Sequence, residues 1–300
     1  MKKKSPDRWR NLLSSVVVPA IVAIVVIVFL NSFQEPISKG DTSKPSTLDT
    51  VIKNGVIRAG YVSNPPSCIV DPNTGKVSGV MSETFEKLAQ KASLNVEWVE
   101  EVGFGSMIEG LNTGRYDAVP CGIWVTAERS RTADFTRPLY YSGIGVYVRS
   151  DDTRFDKDLS QINSPDVRIA TIDGEVAQSI ANTAFPRAKE VGLPQLSEIS
   201  IMLLNVKTGR ADVAFVESYA AYEFVRNNPG SLRNIAAEKP FRIFPNTILV
   251  RKGDSAFRRF LDNALGESIN LGIVDELLKK YEPQPGTFYR TVLPYQPNQP

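Results

Sequence analysis

Two side chains in this 300-residue chain combine charge with a setting in which ligand chemistry is feasible. Arg129 follows Thr126-Ala127-Glu128, a pattern that opens a helix with Thr126 as N-cap. A planar guanidinium offers two parallel donors to a carboxylate, which lysine cannot do. The free N–H groups of a first helical turn add positive potential at the same point. Glu217 closes the apolar run Val213 to Val216. A carboxylate at a strand's carboxyl end faces the crevice of an α/β sheet. By residue type alone each has a plainer reading. Arg129 would be a solvated arginine pairing with Glu128 or Asp134, and Glu217 an acid serving a helix dipole.

Composition removes several competing chemistries. The chain contains no histidine. That excludes Ser-His-Asp and Cys-His catalysis and nearly all zinc chemistry, so neither a metal nor a cofactor is expected. The two cysteines, Cys68 and Cys121, are too few for a disulfide scaffold. They are either a single bridge, if the domain lies outside the cytoplasm, or two small buried hydrophobes. The formal net charge is +2, and Lys2, Lys3, Lys4, Arg8 and Arg10 against Asp7 account for more than that excess. The remainder is slightly acidic, which argues against a nucleic-acid surface.

The positioning elements follow from pattern. Residues 12–33 hold an apolar run of the length a membrane-crossing helix needs, preceded by the basic segment 1–11. The positive-inside rule puts the N-terminus in the cytoplasm and the rest outside. Ala-x-Ala does not follow the run, so an uncleaved anchor is favoured over a signal peptide. Residues 34–47 read as a linker. Val56 to Val62 is a strand, and Met81, Phe85, Leu88, Ala89 and Ala92 fall at helical spacing. Asn95 to Val99 alternates as a strand. Phe104, Met107, Ile108 and Leu111 mark a helix stopped by Gly114, and Asp117 starts another strand. Alternating strands and helices predict a parallel sheet covered by helices.

The same grammar then restarts. Val167 to Ile172 is a strand, and Glu175 to Phe185 and Ser197 to Lys207 are helices, the latter with Ile201 and Leu204 inward and Met202 as a further candidate. Thr113-Gly114-Arg115-Tyr116-Asp117 matches Thr208-Gly209-Arg210-Ala211-Asp212, each after a helix and before an apolar strand. Two lobes of like construction are expected. Phe244 to Val250 is a strand, Ser255 to Tyr281 is helical, and residues 283–300 form a proline-rich extended tail.

These segments, in order, resemble the bacterial extracellular solute-binding proteins of family 3, the polar-amino-acid receptors of ABC importers. The residues that carry it are GYVSNPPS with Gly75 and Gly79, FGSMIEGLNTGRYDAV, VTAERSRTADFTRP, TGRADVAFVESYAA, and RKGD before the helix ending NLGIVDELLKKYEP. It spans roughly residues 48–282. The resemblance implies an α/β type II periplasmic-binding-protein fold. Lobe one would be 48–144 plus 245–282 and lobe two 145–244, with a two-strand hinge near Gly145 and Pro245. The ligand would be an amino acid or related small carboxylate, and the partner an ABC transporter permease. The protein would be a monomer tied to the cytoplasmic membrane by its N-terminal helix, and not an enzyme.

The resemblance also implies residue roles. Arg129 falls where the family holds the ligand α-carboxylate, and Glu217 where an acid, usually Asp, takes the ammonium. Gly122, Trp124 and Thr126 share the loop that lines the site. At the first two positions the family often has small hydroxyl residues, and Thr126 would cap its helix and touch ligand. Gly174 ends the first strand of lobe two, and after it Glu175 and Val176 stand where the family usually carries Ser or Thr. A negative Glu175 beside a carboxylate is unfavourable unless it turns away. That departure would suit a ligand with extra positive charge, or one held by backbone alone. Tyr61, Asn64, Phe104 and Met107 lie where walls for the ligand side chain stand, though ordinary core packing is the stronger reading of each. The capture would proceed by closure of the two lobes about the hinge. Two other readings remain: a cyclohexadienyl dehydratase-like enzyme with Glu217 as general acid, and a sensory module.

Overall fold

The computed structural model describes residues 46–292. The basic segment 1–11, the expected span 12–33 and nearly all of the linker 34–47 lie outside the described residues, as do residues 293–300. Among the described residues no helix is long and apolar enough to cross a membrane.

The chain enters through α1 (Thr47–Asn54), opened by a capping box between Ser46 and Asp49. There follow β1 (Val56–Tyr61), a small hairpin of β2 (Ile69–Val70) and β3 (Val77–Ser78), α2 (Val80–Lys91) and β4 (Asn95–Glu101). Next come α3 (Met107–Thr113), β5 (Ala118–Ile123), the single-turn α4 (Ala127–Ser130) and β6 (Ala133–Phe135). The long β7 (Tyr140–Arg149) leads into β8 (Arg168–Ile172), α5 (Val176–Ala184), β9 (Lys189–Leu193) and α6 (Ile199–Lys207). Then come β10 (Val213–Glu217), α7 (Ser218–Asn227) and β11 (Leu232–Asn234). The equally long β12 (Arg242–Arg251) returns to α8 (Ser255–Asn270), α9 (Ile273–Tyr281) and β13 (Phe288–Arg290).

The main path of the sheet runs β4-β1-β5-β12-β7-β10-β8-β9. Each end of it is parallel, β4-β1-β5 on one side and β10-β8-β9 on the other, as helical crossovers require. The centre is antiparallel, where β12 pairs with β7 from Arg242↔Ile144 to Asn246↔Tyr140. These two strands join separate cores. Tyr140 of β7 and Ile248 of β12 pack with Ile57, Phe85 and Phe257, whereas Ile144 and Val146 pack with Ile169, Leu203 and Phe215. The first lobe has apolar packing on both sheet faces. In β5, Ala118 points into one cluster and Val119, Cys121 and Ile123 into the other.

The repeated Thr-Gly-Arg-x-Asp segment builds the same joint in each lobe. Gly114 and Gly209 end α3 and α6 in the left-handed region. The Asp117 N–H then donates to the Arg58 carbonyl, and the Asp212 N–H to that of Arg168. In return the Asp117 carboxylate accepts from the Arg58 N–H at 2.9 Å, and Asp212 from the Arg168 N–H at 2.9 Å. Each aspartate thus clips its strand to the lobe's first strand.

Several expectations need correction. On α6 it is Met202, Leu203, Asn205 and Val206 that are buried, while Ile201 and Leu204 are more than a third exposed. The segment 255–281 is two helices, because Gly272 takes φ 76° after α8 and restarts the chain as α9. Phe104 lies in the turn before α3 rather than on it. The first part of the tail is a strand: β13 pairs with the start of β7, Tyr140 to Ser142, with Phe288 buried against Tyr140 at 5.2 Å between ring centres. Of the two readings left open for Cys68 and Cys121 the structure has the bridge, with their Cα atoms 5.2 Å apart, tying the loop after β1 to β5.

Candidate functional site

The strand ends of both lobes converge on one narrow cavity, about 20 Å³ as the lobes stand. Asn64, Phe104, Gly122, Trp124 and Arg129 come from the first lobe. Glu175, Val176 and Glu217 come from the second, backed by Ile199, Met202, Phe215 and Val216. The lobes meet closely beside it. The Gln195 side chain covers Gly103 and Gly105, and Gly174 lies against the Gly105 backbone.

Arg129 is set by its own short helix. The Thr126 hydroxyl, at the N-cap of α4, accepts from the Arg129 N–H at 3.1 Å. The guanidinium donates through Nη1 to the Trp124 carbonyl at 3.1 Å and through Nη2 across the gap to the Gly174 carbonyl. It forms no ion pair with Glu128 or Asp134; Asp134 is taken by Lys252 at 2.9 Å. Desolvation lowers the Arg129 pKa, and Glu175 and Glu128 oppose that. An arginine so perturbed remains charged, and its three unspent N–H donors stay available to a ligand.

Gly122 has no side chain because none fits. At φ 71° an added Cβ would lie 2.3 Å from the Ser67 hydroxyl and 2.8 Å from Asn246 Oδ1. Trp124 uses the neighbouring space. Its indole stacks on Phe244 of β12 at 4.7 Å and donates to Asn246 Oδ1 at 3.1 Å. Trp124 thereby joins the second lobe's core although its backbone belongs to the first. Asn246 in turn donates to the Ser142 hydroxyl at 2.8 Å, so a buried polar chain runs from Trp124 through both crossing strands.

The two carboxyl groups differ. Glu175 is the N-cap of α5, and its Oε2 accepts from the Ala177 N–H at 2.6 Å. It is turned onto its own helix, as a negative group beside a carboxylate site must be. Burial raises its pKa to about 6 against the pull of that N–H and of Arg129. Glu217 is the N-cap residue of α7 but makes no capping bond. It is 5% exposed and its Oε1 has no partner. Burial pushes its pKa up to about 8; Ser142 draws it down and Glu175 adds to the rise.

Of the expected site residues, Arg129, Glu217, Gly122, Trp124, Glu175, Val176, Asn64 and Phe104 are thus brought together at the cavity. Thr126 and Gly174 stand behind Arg129, as cap and as carbonyl acceptor. Tyr61 and Met107 do not line the cavity. Tyr61 packs edge-on to Trp98, and Met107 is fully buried beneath its helix, with its carbonyl bonded to the Tyr116 hydroxyl. Asn64 donates its side-chain amide to the Cys121 carbonyl, so the disulfide region braces this wall.

The sequence profile of the bacterial extracellular solute-binding proteins, family 3, matches residues 57–284. The chain belongs to this family. Among relatives of this solute-binding protein is a probable histidine-binding protein of Campylobacter jejuni, 24% identical over 208 residues, covering 69% of this chain and 77% of the relative. A cyclohexadienyl dehydratase of Pseudomonas aeruginosa is 22% identical over 240 residues, covering 80% of this chain and 87% of the enzyme. The crystal structure of an ancestral amino acid-binding protein, a precursor of cyclohexadienyl dehydratase, superposes with a TM-score of 0.69 at 26% identity. It covers 79% of this solute-binding protein and 99% of the ancestral one. The periplasmic-binding-protein fold follows from family and structure together, and the binding domain lies outside the cytoplasm, where a Cys68–Cys121 bond persists.

Proposed function

We propose that this protein captures an amino acid, or a related small carboxylate, in the interlobe cavity and delivers it to an ABC importer. The observation that carries the reading is the pairing across one gap of Arg129, with unspent guanidinium donors, and Glu217, a buried carboxyl without a partner. Arg129 takes the ligand carboxylate and Glu217 its ammonium. Phe104, Trp124, Val176 and Phe215 surround the rest, so apolar contact selects the ligand side chain. Ligand binds the first lobe through Arg129, and closure about β7 and β12 brings up Glu217. The names of the histidine-binding relative and of the ancestral amino acid-binding protein support an amino acid as ligand. Residues 12–33 tether the protein to the cytoplasmic membrane, which raises its concentration near a permease. Calorimetry of the protein against a panel of amino acids tests the reading. One member binding at micromolar or tighter Kd supports it; no heat from any member removes it.

A second reading has its own support in Glu217, which is placed as a general acid would be, and in the dehydratase relative. Turnover of prephenate or arogenate by the purified protein would establish it.

A further inference from the structure

Glu217 lines a cavity, yet it is 5% exposed and its Oε1 lacks any hydrogen-bond partner. An ionised carboxylate in that setting is costly, and holding a proton removes the cost. The groups packed around it bring no positive charge. On β7, Ser142 accepts from Asn246 of β12 and only partly offsets the effect of burial, and Tyr140 is an uncharged phenol bonded to the Ser67 hydroxyl at 2.8 Å. At the start of α5, Glu175 brings a like charge. The nearby cation, Arg129, acts on Glu175 and Glu128 rather than on Glu217. The setting of Glu217 therefore favours one positive charge beside its carboxylate, which its own proton supplies.

Building on the capture reading, we propose that the ligand ammonium displaces the proton of Glu217, so that capture is coupled to proton release. The O–H bond of the Glu217 carboxylic acid breaks, its electron pair stays on oxygen, and the proton passes to solvent. The ligand's ammonium keeps its own protons and hydrogen-bonds to the carboxylate so formed. No bond in the ligand changes. The pKa of about 8 in this closed arrangement of the lobes sets the window. Apparent affinity rises about tenfold per pH unit from about pH 6 to 8, levels off above, and falls once the ligand's own ammonium begins to lose its proton. Below that range Glu175 begins to titrate as well, since its pKa is about 6.

Infrared spectroscopy of the full-length protein reads the proton directly. A carboxylic acid C=O band is expected at pH 6.5, lost by about pH 9.5, and reduced in Glu217→Gln to the minor share that Glu175 still holds. In Glu175→Gln, which keeps a capping oxygen, the band's midpoint moves to lower pH because the like charge is gone. No such band at pH 6.5, or the same band in Glu217→Gln, overturns the proposal. Calorimetry of the best-bound amino acid, in two buffers of different ionisation enthalpy, reads the coupling. Near one proton released at pH 6.5, falling to none near pH 9 where the ligand ammonium still largely holds its own proton, is expected. Binding without proton release sinks the coupling and leaves the capture reading intact. A panel without any binder sinks both, whatever the infrared band shows.

Discussion

Replacing Glu217 by glutamine swaps a carboxylic acid that the fold keeps protonated for an amide of the same shape. The consequence for stability has a definite sign. The folded pKa is about 8, raised from 4.5. Between those values the folded state holds a proton that the unfolded state has released. The stabilisation from this group is therefore complete below pH 4.5 and is lost as pH rises to about 8. At 1.36 kcal/mol per pKa unit the full swing is about 5 kcal/mol. Glu175, with its pKa raised to about 6, contributes about 2 kcal/mol in the same direction over the acidic part of the range. Glu217→Gln removes the larger component only. Urea unfolding followed by circular dichroism at pH 5 and pH 9 should show the wild type losing about 4 kcal/mol more than the variant. In melting temperature that is on the order of 10 °C for a domain of this size. Parallel pH curves for the two proteins would refute the burial argument for Glu217, and with it the preference for a positive charge there.

Three further outcomes follow. Removing the disulfide by Cys68→Ser with Cys121→Ser frees a loop of sequence separation 53 and should cost about 4 kcal/mol in urea unfolding, with the same loss on reduction of the wild type. Gly174→Ala places a Cβ 2.8 Å from the Gly105 backbone at φ 76°, so it should hold the lobes apart and weaken ligand binding at least about tenfold while the second lobe stays folded; unchanged Kd would contradict the closure contact. Trp124→Phe keeps a ring to stack on Phe244 but leaves Asn246 Oδ1 without its donor, which should cost about 1–3 kcal/mol by urea unfolding.

Much of this was written in residue type and spacing. The doubled Thr-Gly-Arg-x-Asp segment predicted two like lobes, and the structure gives its two aspartates the same strand-clipping bonds. Residue type alone gave Arg129 and Glu217 plainer readings, and it was the resemblance that singled them out; the structure sets both at one cavity. Some of the rest was present but misread. Ile199, Met202, Leu203 and Val206 have the i, i+3, i+4, i+7 spacing of one helical face, yet the exposed Ile201 and Leu204 made an equally apolar choice. Phe215 stands two residues before Glu217 on the same strand and so shares its face, a signal that alternation supplies. Other features have no local signature. Tyr61 and Met107 are large apolar residues near the site, and nothing in their type separates a wall from a core. The Arg129 bond to the Gly174 carbonyl and the seating of Gln195 on Gly103 and Gly105 arise only when two lobes distant in sequence come together. β13 was read as tail because three residues among prolines carry too little pattern to mark a strand, and its partner lies more than a hundred residues earlier.

The central claim is that a guanidinium on one lobe grips an acid group which the other lobe then closes over. The most direct measurement is the calorimetric Kd of Arg129→Ala for the best-bound amino acid, beside the wild type at one pH. Losing a two-pronged, charge-assisted contact is worth about 3 kcal/mol, so the account predicts Kd raised on the order of a hundredfold. A Kd equal to that of the wild type, in a variant with an unchanged melting temperature, would contradict it.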